Sequence, residues 1–70
     1  MKYSRQRELI LNNVIDSKGH PTADDVYDDL KKANPSLSLG TVYRNLTQLE
    51  KNGMLKKVNI PGDPVRFEAN

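Results

Sequence analysis

Up to Gly53 the apolar residues of this chain return every three or four positions, and beyond it they alternate. The first rhythm gives a helix one apolar side and the second does the same for a strand, so the pattern calls for helices followed by a short sheet. Ser4 can cap a first helix that runs through Leu9, Ile10, Leu11, Val14 and Ile15 to Lys18-Gly19, where glycine accepts the left-handed conformation that closes helices. His20-Pro21 makes the connection. Thr22 caps a second helix, with Asp25 three residues on as a short-acid form of the capping box. Asp24 and Asp25 in its first turn and Lys31 and Lys32 in its last suit the helix dipole, and Ala23, Val26, Tyr27 and Leu30 form its inward stripe. Asn34-Pro35 stops it, because the residue before proline is pushed out of the helical region.

Only Pro35, Ser36 and Leu37 then precede Ser38, a third cap, after which Leu39, Val42, Leu46 and Leu49 lead to Asn52-Gly53. Two helices joined by so short a turn read as a helix-turn-helix. From Leu55 onward Val58 and Ile60 alternate, Pro61-Gly62-Asp63-Pro64 must turn, and Val65, Phe67 and Ala69 alternate again, which predicts a hairpin with a four-residue loop. The expected fold is therefore mainly α with a small β-hairpin, a winged helix-turn-helix of three helices and a two-stranded wing. It fills residues 1–70 as one domain without internal repeat, low-complexity tract or linker. The last residues, Glu68-Ala69-Asn70, lie in a strand with no stop signal, so the chain is expected to be truncated.

Composition narrows what such a fold can do. Seventy residues with 36% apolar content bury a thin core, at roughly 25 cal/mol per Å² before entropy is subtracted, and leave no room for a catalytic domain. Without cysteine there is neither a disulfide nor a thiolate zinc site to brace it. No apolar run is long enough to cross a bilayer, and the basic start leads into an amphipathic stretch with Glu8 and Asn12, unlike a signal peptide. A cytoplasmic address and no membrane partner are the expectation. An enzyme is remote, because the chain has one histidine and no nucleophile paired with a base at recognisable spacing.

The net charge of +2 conceals a sorting along the chain. Lys2, Arg5 and Arg7 open it, Asp24, Asp25, Asp28 and Asp29 crowd the second helix, and Arg44, Lys51, Lys56 and Lys57 return with only Glu50 against them. This places one basic and one acidic face on the fold, a pattern shared with ordinary solvated surfaces. On the third helix the apolar stripe leaves Gly40, Thr41, Arg44, Thr47, Gln48 and Lys51 on the far side, with Tyr43 at its margin. That surface suits a DNA major groove: guanidinium can bridge two guanine acceptors, a tyrosine edge or threonine methyl can pack on thymine, and hydroxyls can bind phosphate. Gly40 costs the helix up to about 1 kcal/mol relative to alanine, and its missing side chain offers close approach to a groove wall. The order of elements favours nucleic acid over a merely solvated helix. Lys56 and Lys57 suit phosphates beside the wing and equally suit edge-strand lysines that discourage sheet pairing; Arg66 is a further candidate on the second strand. The competing reading is a protein-interaction module in which the acidic stretch meets a basic partner.

The string Gly40-Thr41-Val42-Tyr43-Arg44-Asn45-Leu46, the preceding His20-Pro21-Thr22-Ala23-Asp24-Asp25-Val26-Tyr27, Gln6-Arg7 near the start and Val65-Arg66-Phe67-Glu68 in the wing closely resemble the ferric uptake regulator family. The resemblance covers nearly all of the chain but only the amino-terminal half of a typical member. It implies a homodimeric repressor, joined through a carboxy-terminal domain that this chain lacks, which binds A/T-rich palindromes in double-stranded DNA when loaded with iron, manganese or zinc. Tyr43 and Arg44 match the family's base-contacting pair, and Lys2 matches a lysine that some members insert into the minor groove, where A/T tracts concentrate negative potential. On chemistry alone Lys2 reads equally as a solvated terminus and His20 as a loop residue before proline. By resemblance His20 is the regulatory-metal ligand contributed by the DNA-binding domain, and Glu68 is a second ligand at the hinge. Some peroxide-sensing members carry aspartate there, so Glu68 inclines toward metal uptake. Two ligands cannot complete the four- to six-coordinate site that these ions prefer, so no cofactor is expected in the fragment itself.

Overall fold

The computed structural model describes residues 4–70. Helix α1 (Arg5–Asp16) begins where the Ser4 hydroxyl accepts a hydrogen bond from the Arg7 amide at 3.1 Å, as the capping residue requires. Its end differs from expectation. The helix stops at Asp16, two residues before Lys18, because Ser17 turns extended and its hydroxyl donates to the Asn13 carbonyl at 2.7 Å. A serine side chain that binds local backbone competes with helix continuation, so Gly19 is not needed as a left-handed stop and does not have a positive φ. Ile10, Leu11 and Val14 are buried, whereas Leu9 is half-buried and Ile15 is 52% exposed. At about 100° per residue these two stand on the flanks of the arc that the other three define.

Helix α2 (Ala23–Leu30) carries the reciprocal cap in full: the Thr22 hydroxyl accepts from the Asp25 amide at 3.1 Å, and the Asp25 carboxylate accepts from the Thr22 amide at 2.9 Å. It is shorter than its apolar rhythm implied. Lys31 and Lys32 lie beyond its last turn, and both the backbone and side-chain N–H groups of Asn34 donate to the Leu30 carbonyl, closing the helix before Pro35. The link to the next helix is correspondingly longer than Pro35, Ser36 and Leu37. It is also partly core, since Leu37 is only 5% exposed.

Helix α3 (Leu39–Lys51) starts at Ser38, whose hydroxyl accepts from the Thr41 amide at 3.1 Å, and ends at Asn52 before Gly53, which has the positive φ of 76° expected of a glycine stop. Val42, Leu46 and Leu49 are fully buried, and Leu39 is half-buried at the edge of the stripe. Each of the three contributes about 1.5–3 kcal/mol relative to an exposed position.

Strands β1 (Leu55–Val58) and β2 (Arg66–Ala69) pair antiparallel, Leu55 opposite Ala69 and Val58 opposite Arg66. The connection spans residues 59–65, longer than the predicted four-residue loop. Its turn is tied by the Asp63 amide donating to the Ile60 carbonyl at 3.0 Å, with Gly62 at φ 84°. Proline followed by a positive-φ glycine at the two central positions is type II turn chemistry. Ile60 and Val65 flank this turn exposed, outside the strands, while Leu55 and Phe67 point into the core. The sheet has one further contact: the Phe67 amide donates to the Pro21 carbonyl at 2.9 Å, and Thr22 forms a bridge with Arg66. The segment before α2 thus lies along the outer edge of β2. Three helices and a wing close on one core of Ile10, Leu11, Val14, Ala23, Val26, Leu37, Val42, Leu46, Leu49, Leu55 and Phe67. The fold is a winged helix.

Candidate nucleic-acid interface and metal-ligand pair

Because α3 spends its leucines and Val42 on the core, the opposite side faces solvent. Arg44 and Lys51 are exposed there, Tyr43 is half exposed, and none of the three side chains makes a hydrogen bond or ion pair with the described residues. Gly40 is also exposed. A Cβ built on it would meet only the Ser38 hydroxyl, at 3.9 Å, so nothing inside the fold demands glycine. Thr41, Thr47 and Gln48 are half-buried along the flanks, and the Thr41 hydroxyl lies 2.9 Å from that of Ser38. The central strip of α3 is thus Arg44, Lys51 and Gly40, with Tyr43 on one side, and it offers charge, an aromatic edge and an open backbone to a groove. Lys2 lies outside the described residues.

The wing lysines are exposed but paired. Lys56 Nζ is 2.9 Å from Glu68 Oε1, and Lys57 Nζ is 3.7 Å from Glu50 Oε1. Exposed pairs of this kind are weakened by solvent and salt, so a phosphate can replace either carboxylate. Arg66 is half-buried on β2. Its guanidinium donates from Nη1 to the His20 carbonyl at 2.9 Å, because the docking of residues 20–22 against β2 brings that backbone across it.

The same docking brings the two ligand candidates together. His20 Nδ1 lies 3.0 Å from Glu68 Oε2, and the other oxygen of Glu68 is the one that Lys56 holds. The Lys56 hydrogen bond lowers the Glu68 pKa below the usual carboxylate value, with smaller contributions from the Lys56 and His20 charges. An imidazole nitrogen and a carboxylate oxygen at this separation fit two corners around one cation that takes ligands at about 2.0–2.2 Å. Among the described residues no third histidine, cysteine or acid joins them.

One pair escaped the sequence reading. Asn45 sits within the buried side of α3 at 6% exposure, where its Oδ1 accepts from Arg7 Nε at 2.8 Å and its Nδ2 donates to the Thr41 carbonyl at 2.9 Å. Arg7, grouped by charge with a basic opening segment, is turned inward to α3. A polar residue three positions after Val42 and four before Leu49 was the available signal.

Comparison with known proteins accords with this geometry. The chain is 35% identical over 68 residues to the peroxide operon regulator of Bacillus subtilis, covering 97% of the chain and 47% of that protein. The solved structure of the peroxide-sensing regulator PerR from Streptococcus pyogenes superimposes with a TM-score of 0.92 at 33% identity, over 99% of this chain and 48% of that one. A ferric uptake regulator from Francisella tularensis, solved with iron, gives a TM-score of 0.87 at 30% identity, over 100% of this chain and 54% of the other. The chain thus spans about half the length of the relatives it matches. The profile of the Ferric uptake regulator family covers residues 1–70, and with that match, these identities and a winged helix carrying the same elements in the same order, the chain belongs to the ferric uptake regulator family.

Proposed function

We propose that these 70 residues form the DNA-binding half of a metal-responsive transcriptional repressor. The observation that carries this reading is the outward, unpartnered placement of Tyr43 and Arg44 on α3. In the proposed complex α3 lies in the major groove, Arg44 and Tyr43 meet base edges, Thr41, Thr47, Gln48 and Lys51 bind the flanking phosphates and bases, and Lys56 and Lys57 reach phosphates beside the wing. Lys2 enters the adjacent minor groove of an A/T-rich palindromic operator. The relatives' names support a repressor sensing a metal or peroxide, and the protein is placed in the cytoplasm with its DNA.

A divalent ion fits as the signal. His20 and Glu68 would hold it together with ligands from the other half of the protein, and the ion would supply a positive charge tying the wing to that half. Dimerisation is likewise assigned to the second half, so the domain by itself engages single half-sites weakly, at an affinity close to the roughly 10⁻⁴ to 10⁻⁶ M of non-specific contacts, while keeping the preference among sequences that Tyr43 and Arg44 confer.

Salt titration of binding to an A/T-rich palindromic duplex tests the reading. The logarithm of affinity should fall with the logarithm of salt by about 0.9 per phosphate neutralised. Salt-insensitive binding, or none, would overturn it in favour of a protein-docking role for the same face.

A further inference from the structure

Asn45 is the one strongly buried polar side chain on α3, set among Val42, Leu46 and Leu49. Desolvating an amide is unfavourable unless both its ends are bonded, and an apolar residue of similar size would pack there without that demand. Both ends are bonded. Arg7 Nε, from α1, donates to Oδ1, and Nδ2 donates to the carbonyl of Thr41 one turn earlier. From Thr41 the network continues through its amide and hydroxyl to Ser38, the cap of α3, while the Arg7 amide itself donates to Ser4, the cap of α1. A chain of hydrogen bonds therefore joins the first turn of α1 to the first turn and a half of α3, the part that carries Gly40, Thr41, Tyr43 and Arg44.

The hydrophobic effect that holds two helices together is non-directional, whereas a hydrogen bond weakens steeply as its donor and acceptor move out of range and alignment. Base-edge recognition needs that directionality, because a bidentate guanidinium contact is lost when its donors move out of hydrogen-bond range and alignment. We infer that Arg7 and Asn45 are a positioning pair: they fix the rotation of α3 against α1 and thereby set sequence discrimination by Tyr43 and Arg44, while adding little to overall DNA affinity. This rests on the DNA-reading role proposed above and assigns a task to two residues that need not touch a base.

The test measures binding of the 70-residue chain to an A/T-rich palindromic duplex and to a scrambled duplex of equal length, across a salt series. Two variants are compared with wild type. Asn45→Leu removes the buried amide and keeps an apolar filler in its place. Arg7→Lys keeps the positive charge but loses the planar donor at Nε. Each is expected to reduce the palindrome-to-scramble affinity ratio by about tenfold, in the range of one good base contact, with the salt slope unchanged. The double variant is expected to lose less than the two single losses combined, since the Arg7 Nε to Asn45 Oδ1 bond is common to both. Circular dichroism checks folding, and if Asn45→Leu does not fold, Arg7→Lys carries the comparison by itself. Wild-type discrimination in the folded variants, or losses that multiply in the double, would overturn the pairing. Arg44→Ala separates the two levels: if wild type shows a preference that Arg44→Ala removes and Arg7→Lys does not, the DNA-reading role stands and the positioning role falls. If wild type shows no preference at all, both fall.

Discussion

His20 Nδ1 and Glu68 Oε2 stand 3.0 Å apart although one precedes α2 and the other lies in the last strand. The contact exists because the backbone around Pro21 and Thr22 docks along β2, through the Phe67 amide and the Thr22 to Arg66 bridge. In a protein containing both halves, His20→Ala should weaken metal-triggered DNA binding, measured as the shift in duplex affinity on adding the ion. In the 70-residue chain the same change should leave melting temperature and DNA affinity nearly unchanged. An unaltered metal response in the longer protein would return His20 to an ordinary loop residue.

Arg44 and Lys56 should fail in different ways. Arg44→Ala removes a base-edge contact, so preference among duplex sequences should flatten by about 1–3 kcal/mol at the positions it reads. Lys56→Ala should weaken binding to all sequences alike and reduce the salt slope by about 0.9. The two patterns are distinguished by repeating one salt series on a matched and a mismatched duplex.

Gly40 lies in a helix with open space around it, and the fold does not call for a missing side chain there. Gly40→Ala should therefore stabilise the free domain by up to about 1 kcal/mol, seen as a higher melting temperature. Binding to DNA should weaken at the same time if the groove wall approaches this backbone. A more stable variant with undiminished affinity would leave Gly40 without a role at the interface.

Two carboxylates should govern acid stability. The pKa of Asp25 is lowered chiefly by the hydrogen bond from the Thr22 amide and then by that of the Thr22 hydroxyl, and the pKa of Glu68 chiefly by Lys56. A carboxyl with a depressed value in the folded state contributes stability above its unfolded value and loses it as pH falls through the folded one. Melting temperature should accordingly hold from neutral pH down to the ordinary carboxylate range and fall below it. Thr22→Ala should cost about 1 kcal/mol at neutral pH through the lost cap and make the acid-induced fall shallower. Glu68→Gln should also reduce the acid response, without affecting the helix cap.

Most of the secondary structure could be read from local pattern. Ser4, Thr22 and Ser38 cap three helices because a short hydroxyl followed by an amphipathic run satisfies orphan amides within three residues, a relationship that needs no distant partner. Gly53 and the turn at Pro61-Gly62 are local for the same reason. Boundaries were less legible where side chains competed with the backbone: Ser17 ended α1 early, Asn34 ended α2 early, and the wing strands stopped short of Ile60 and Val65. The outward face of α3 followed from its apolar stripe, since burying Val42, Leu46 and Leu49 leaves Arg44 nowhere to go but solvent.

Partnerships across the fold have a different origin. That Arg7 reaches Asn45, that Arg66 turns back to the His20 carbonyl, and that Lys56 shares Glu68 with His20 depend on how the helices rotate and how the segment before α2 meets the wing. Spacing along a chain sets which residues share a side of one element, because the backbone repeats at short range. It carries no comparable rule for which sides of two elements meet, since that is settled by packing volume and the mutual satisfaction of polar groups over the whole core.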